Sequence, residues 1–232
     1  MSDARSDAPA EAGPPTNPPT SPPTRAGNPP PNERAGGRTA VAGLLLAAGG
    51  GRRLGGRPKA LLDFRGRPLV EHAAGVLRAG GCAPLRVVLG AAAESVRAKA
   101  ALDGGLLVDN PHWASGMGSS LRVGLAALDG LEASAVLVLL VDQPRIGPEA
   151  VARLLAAHRG GAALVAASYD GQRGHPVLFA REYWPDVAAG ASGDRGARDF
   201  LRAHRAELTL VECADIAAPD DIDTPEDLGL LD

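Results

Sequence analysis

Val41-Ala42-Gly43-Leu44-Leu45-Leu46-Ala47-Ala48-Gly49-Gly50-Gly51-Arg52-Arg53-Leu54-Gly55-Gly56-Arg57-Pro58-Lys59 is the stretch from which the rest of the chain can be read. It opens with a short apolar run that stops at a glycine cluster. A run this short, bounded by glycine, predicts a strand buried on both faces, as in a parallel sheet. The glycines let backbone N–H groups approach and wrap an anion, and Arg53 and Lys59 add positive charge. The segment is therefore either a phosphate loop or a glycine-rich turn with solvated charges. Two familiar loops are excluded. A dinucleotide fingerprint needs G-x-G-x-x-G, but Leu54 stands where the last glycine should be. A P-loop needs Lys and then Ser or Thr after its second glycine, but Gly56 is followed by Arg57-Pro58. Of 24 basic residues only Lys59 and Lys99 are lysine. A chain that otherwise uses arginine thus places a compact, mobile ammonium at the end of this loop.

Downstream, Val70, Ala73, Ala74 and Leu77 have helical spacing within Pro68 to Ala79, and Leu85 to Leu89 reads as a strand. Ala91 to Leu102 reads as a helix and Leu106 to Val108 as a strand. Ser119 or Ser120 is suited to cap a helix with Leu121, Leu125 and Leu128 on one face. Ala135 to Val141 is a strand, and Pro148 to His158 is a helix with Val151, Leu154, Leu155 and His158 on one stripe. Ala163 to Ala167 and Pro176 to Phe179 are further strands, followed by helices near Tyr183 and Ala197. Glu207 to Val211 is the last strand, and Thr224-Pro225 opens a final helix with Thr224 as its cap. Strands alternating with helices predict an α/β fold, a three-layer, doubly wound, mostly parallel sheet of Rossmann-like type. Ligands in such sheets sit at the carboxyl ends of the strands, where strand order switches.

Upstream the composition changes abruptly. Residues 1–38 hold 10 of the 20 prolines and no Val, Ile, Leu, Phe, Tyr, Trp or Cys. Such a segment has almost nothing to bury against the entropy cost of ordering, so it is expected to be a disordered proline-rich tail. Residues 39–232 form one domain. The net charge of −3 excludes a strongly basic nucleic-acid binder. No apolar run approaches the roughly 18–20 residues of a membrane span, and the N-terminus lacks the apolar core of a secretory signal. Cys82 and Cys213 are isolated and fit neither a disulfide scaffold nor a paired-cysteine zinc site. A cytoplasmic protein without nucleic-acid or membrane partners is expected.

Chemistry concentrates after the strands. Asp142 follows an apolar strand directly, a place suited to holding Mg²⁺ beside phosphates, although a loop hydrogen-bonder fits too. Asp220-Asp221-Ile222-Asp223 precedes a helix, so these acids either supply a second metal ligand or cap that helix. Asn110 to Ser120 joins a strand to a helix, and its glycines and hydroxyls suit a planar base and ribose. His175 is either a ligand contact or a structural histidine beside a strand. There is no G-x-S-x-G, H-E-x-x-H or C-x-x-C, hence no signature of acyl-enzyme, zinc or thiol chemistry.

Taken together, these segments resemble the molybdopterin nucleotidyltransferase (NTP transferase) family, and within it the molybdenum cofactor cytidylyltransferases. Leu46-Ala47-Ala48-Gly49, Arg53, Gly55 and Pro58-Lys59 match its loop. Asn110-Pro111, Trp113, Gly116-Met117-Gly118-Ser119-Ser120, Asp142-Gln143-Pro144 and Arg173-Gly174-His175-Pro176 match further patterns. So do Gly193-Asp194, Gly196-Ala197-Arg198 and Asp221 to Leu228. The likeness runs from about Val41 to the C-terminus and leaves out the tail. The loop departs from the family at Gly51, often Ser, and at Leu54, often Met, a near volume-conserving exchange.

The resemblance implies transfer of CMP from CTP to the terminal phosphate of molybdenum-bearing molybdopterin. It implies nucleotide contacts at Leu46, Ala47, Ala48, Gly49, Gly50, Gly51, Arg53, Lys59, Gly118, Ser119 and Ser120. Catalysis falls to Arg53, Lys59 and Asp142, the Mg²⁺ cofactor to Asp142 and Asp223, and the acceptor side to His175, Asp194 and Arg198. A molybdenum hydroxylase apoenzyme is a further implied partner. The alternatives are GTP or another phosphorylated acceptor, a pigment oxidoreductase, or a non-catalytic cofactor carrier. Because no matched motif lies in the tail, deleting residues 1–36 should leave turnover intact. A large loss of activity in a folded truncation would contradict this.

Overall fold

The computed structural model describes residues 40–103 and 106–231; the expected tail, 1–38, lies outside the described residues. Strand β1 (Val41–Ala47) leads through two single-turn 3-10 segments to a small hairpin of β2 (Asp63–Phe64) and β3 (Arg67–Pro68). Helix α1 (Leu69–Ala79), β4 (Leu85–Leu89), α2 (Ala93–Lys99) and β5 (Leu107–Asp109) follow. Next come α3 (Met117–Ala126), β6 (Ala135–Leu140), α4 (Pro148–Arg159), β7 (Leu164–Tyr169) and β8 (Gln172–Ala180). The chain continues through α5 (Trp184–Gly190), α6 (Arg198–Ala203), β9 (Leu208–Glu212) and a 3-10 turn at Pro225–Leu231.

The main sheet has the order β5-β4-β1-β6-β8-β7-β9. β1 pairs in parallel with β4 on one side and β6 on the other. The chain first builds outward through β4 and β5, then returns through α3 to place β6 on the far side of β1. That reversal is the switch point, so the loops after β1 and β6 open into one crevice.

Both faces of β1 are covered, as its unbroken apolar run requires. Val41, Leu45 and Ala47 face α1 and α4, packing with Leu69, Ala73, Val151 and Leu154. Ala42, Leu44 and Leu46 face the other layer, with Leu121 and Leu125 of α3, Trp184 of α5 and Phe200 of α6. Cys82 and Cys213 are free and buried, and burial pushes the Cys82 thiol up to about 12.

The strand expected at Pro176 to Phe179 is longer, and it runs antiparallel to both β6 and β7. The cause is a two-residue turn. Tyr169 pairs with Gln172, and Asp170 and Gly171 both have positive φ, 49° and 76°. Asp-Gly is the pair that supports a tight hairpin twist. The expected cap at Ser119 or Ser120 is also corrected. α3 starts at Met117, so both serines lie inside the helix and are buried. The final turn is 3-10, and the Thr224 hydroxyl donates to Asp227 Oδ2 at 3.0 Å, the reverse of an N-cap. The β2–β3 hairpin was not anticipated. Among the described residues no helix is long and apolar enough to cross a membrane.

α3 approaches β1 so closely that a Cβ on Gly124 would lie 2.5 Å from Leu44 Cδ1. Leu44 is fully buried, so it has nowhere to move. A Cβ on Gly75 of α1 meets nothing within 4 Å. Helix propensity favours alanine at both sites by about 1 kcal/mol, but overpacking costs about 1–3 kcal/mol. Gly124→Ala should therefore lower Tm and Gly75→Ala should raise it, as thermal denaturation would show.

Candidate functional site

The loop after β1 turns back on itself at Gly51, whose φ is 61°. The Gly51 carbonyl accepts from Leu54 N–H at 2.9 Å and Gly56 N–H at 3.0 Å. A Cβ on Gly51 would sit 1.8 Å from Arg57 O, so the serine often found here in the resembled family does not fit this conformation. The closed turn brings Arg53 and Lys59 to the crevice beside the end of β6.

There three distant segments meet. Lys59 Nζ donates to Asp142 Oδ2 at 2.6 Å and to Asp223 Oδ1 at 2.5 Å. Arg53 Nη1 donates to Asp223 Oδ2 at 3.1 Å. Burial works against the Lys59 ammonium, but the charges and hydrogen bonds of Asp142 and Asp223 outweigh it, so its pKa is raised. The C-terminal segment is fastened beside β6 by Ile222 N–H, which donates to Asp142 O at 2.9 Å. Asp227 Oδ2 accepts from Asp223 N–H at 3.0 Å and Thr224 N–H at 2.7 Å, which fixes the approach of Asp223. The carboxylates of Asp220, Asp221 and Asp223 bond to Arg145, Gln143 and Lys59, so the capping role goes to Asp227.

Two carboxylate oxygens thus converge on one cationic point. Hard oxygen donors arranged this way fit Mg²⁺ or Mn²⁺, which keep waters and take phosphates as remaining ligands. Among the described residues no group of three or more His, Cys, Asp or Glu could cage a metal alone. Asp142 and Asp223 are the residues that could hold such an ion.

The crevice has two lobes. The first, about 630 Å³, is walled by the expected Leu46, Ala48, Gly49, Gly50, Gly51, Arg53, Lys59, Ser120, Asp142, Asp194 and Asp223. Arg52, Trp113, Ser115 and Met117 line it as well. Ala47, Gly118 and Ser119 line neither lobe. Ala47 belongs to the core, and a Cβ on Gly118 would strike Ser192 N at 2.5 Å. Asn110 Nδ2 donates to Ser119 Oγ at 2.8 Å and Ser120 Oγ at 3.0 Å, a buried polar knot behind the wall.

The second lobe, about 590 Å³, shares Arg53, Lys59, Asp142 and Asp223 with the first and adds His175 and Arg198. Asp194 lies on both. Burial, then the charges of Arg173 and Arg198, lower the His175 pKa to about 4, so its ring is neutral near pH 7. Sequence reasoning assigned no role to Gln143 or Arg173, and left Asp221 between metal ligand and helix cap; all three line this lobe. Gln143 Nε2 donates to Asp221 Oδ1 at 2.9 Å, while its buried Oε1 has no partner among the described residues. Burial, then the nearby Asp142 charge, raise the Asp221 pKa.

Comparison with known proteins shows what the chain is similar to. The MobA-like NTP transferase domain model matches residues 43–208. Nicotine blue oxidoreductase of Paenarthrobacter nicotinovorans is 46% identical over 197 residues, covering 82% of this chain and 96% of that protein. The Rv0371c homolog from Mycobacterium sp. strain JC1 has a TM-score of 0.72 at 35% identity, covering 84% of this chain and 96% of that one. Rv0371c of Mycobacterium tuberculosis in complex with manganese gives 0.69 at 30% identity, over 83% and 98%.

The His175 environment sets a pH dependence. Its pKa falls from 6.5 in the unfolded chain to about 4 in the native one. As pH drops through that window, the unfolded chain binds a proton that the native chain refuses, so acid destabilises the fold. His175→Gln should flatten the fall of urea-derived stability between those two pH values. Equal slopes in variant and parent would contradict this.

Proposed function

We propose, from the premise that this chain belongs to the MobA-like NTP transferase family and is a nucleotidyltransferase, that it moves CMP from CTP to the terminal phosphate of molybdenum-bearing molybdopterin and releases pyrophosphate. The observation that carries the reading is the Lys59 ammonium at 2.6 Å from Asp142 and 2.5 Å from Asp223, at the junction of two lobes. A nucleotide in the first lobe and an acceptor in the second would meet there.

In this reading Leu46 and Ala48 to Gly51, with Ser120, bind CTP, while Ala47, Gly118 and Ser119 support the wall from behind. Arg53 and Lys59 neutralise charge on the α-phosphate and the departing pyrophosphate. Asp142 and Asp223 would hold Mg²⁺, which supplies positive charge beside the phosphates when bound; the manganese complex of Rv0371c supports a divalent cation here. The attacking phosphate is already ionised at neutral pH, so no general base is required, in keeping with a neutral His175 on the acceptor side. Asp194 and Arg198 orient the acceptor. The chemistry is positioning and charge stabilisation. The reaction runs in the cytoplasm, and the product passes to a molybdenum hydroxylase apoenzyme.

A second reading follows from the 46% identity to nicotine blue oxidoreductase: reduction of a pigment. Mass detection of the cytosine dinucleotide and pyrophosphate from CTP, divalent metal and loaded molybdopterin supports the first reading. Oxidation of a nicotinamide cofactor by a pigment, with no pyrophosphate, supports the second. A panel of the four NTPs tests the base. Lys59→Ala and Asp142→Ala should fold by circular dichroism yet lose turnover by about 10²–10³-fold; normal rates in both would overturn the site assignment.

A further inference from the structure

Asp142 and Asp223 are the residues that could hold a divalent cation, and in the structure they hold Lys59. Its Nζ lies 2.6 Å from Asp142 Oδ2 and 2.5 Å from Asp223 Oδ1. Mg²⁺ binds carboxylate oxygen at about 2.0–2.1 Å. An ion shared by these two oxygens therefore needs the place that Nζ takes. Turning the carboxylates gives no way round. Asp223 has its other oxygen, Oδ2, on Arg53 at 3.1 Å, so both of its oxygens already face a cation. The backbones of both residues are pinned, Asp142 by Ile222 N–H on its carbonyl and Asp223 by its own N–H on Asp227. Two cations in contact repel each other strongly in a partly buried site.

The two cations already present differ in how firmly they are seated. The Arg53 side chain is 75% exposed and reaches one carboxylate, whereas the Lys59 side chain is 14% exposed and reaches two. Arg53 gives way readily; Lys59 is the one a metal must displace. Lys59 also has another place to go. It lines both lobes, and Gly49 to Gly51 line the first with it. Its flexible four-carbon stem carries a point charge that can be handed from one anion to another.

We propose that Lys59 is an internal competitor of the divalent cation, keeping Asp142 and Asp223 closed to metal until a polyphosphate in the first lobe draws the ammonium away. Metal and triphosphate are then taken up together, each strengthening the hold on the other. The polyphosphate half rests on the nucleotidyltransferase reading and deepens it. That reading needs Lys59 on the phosphates and metal on the carboxylates, and the two arrangements become successive positions of one side chain. The competition itself needs only the two carboxylates and the metal.

The test follows metal binding and the position of the ammonium rather than turnover. Mn²⁺ is titrated by calorimetry into the nucleotide-free full chain, Lys59→Met, Lys59→Gln and Lys59→Met with Asp142→Asn. Each single variant should bind Mn²⁺ roughly ten-fold or more tightly than the parent, and Asp142→Asn should abolish the gain. Lys59 and Lys99 are the only lysines, and Lys99 is exposed. NMR of the parent with lysine isotopically labelled at Cε therefore follows each one. Saturating Mg²⁺ alone, and CTP alone with a chelator present, should each move the Lys59 signal and leave that of Lys99. Equal Mn²⁺ affinity in parent and variants, or Mg²⁺ that saturates the parent without moving Lys59, overturns the competition and leaves the metal assignment standing. CTP that binds by calorimetry yet leaves Lys59 unmoved overturns the release. If Mn²⁺ binds none of the proteins, with CTP or without it, or CTP fails to bind the parent, the metal or nucleotide assignment itself falls and the proposal falls with it.

Discussion

A single ammonium ties together parts of the chain that are far apart in sequence. Lys59 is 83 residues from Asp142 and 164 from Asp223, and it bonds both. Without it, two carboxylates would face each other at the end of β6 with, among the described residues, only the exposed Arg53 bonded to one of them. Their attraction for Lys59 is strong enough to overcome the cost of partly burying the ammonium. The same contact defines where the glycine loop ends, where β6 delivers its carboxylate and how the C-terminal segment folds over. A guanidinium at this position would be larger and planar, and could not draw two carboxylates onto one point.

The sheet makes that meeting possible. β1 and β6 are neighbours that run the same way, so their following loops emerge on one side. The apolar character of both strands allows helices on both faces, and the close approach of α3 to Leu44 shows how tightly one layer is seated. Such packing leaves the loop ends little room to drift. The polar knot of Asn110 with Ser119 and Ser120 has a similar effect at the back of the first lobe, where buried hydroxyls lock the start of α3.

Much of this was legible in the sequence, for physical reasons that can be named. β1 was legible because its short apolar run stops at a glycine cluster. The loop and Asp142 stood out because each follows an apolar strand, and Asp223 because its acidic run precedes a helix; the fold brings Lys59, Asp142 and Asp223 together. What escaped was governed by partners distant in sequence or by local turns not weighed. Asp170-Gly171 is a hairpin signal, and it reverses β8. Ser119 and Ser120 looked like caps because serine often is one, but Asn110 holds them inside the helix. Asp227 rather than Thr224 fixes the last turn, because a carboxylate accepts from several N–H groups at once. Arg173 stood in the matched Arg173-Gly174-His175-Pro176 stretch but was given no role, and Arg198, which shares its lobe, is on another element.

The reversal of β8 has a consequence for inheritance. The first lobe is built on the parallel half of the sheet, from the loops after β1 and β5 and the end of β6. The outer wall of the second is built on β8 and the α5–α6 region, which the hairpin adds from the opposite direction. Substitutions along β8 can therefore reshape one chamber while the glycine loop of the other stays as it is. A gene of this architecture can explore new molecules for its second chamber without first giving up its hold on the first.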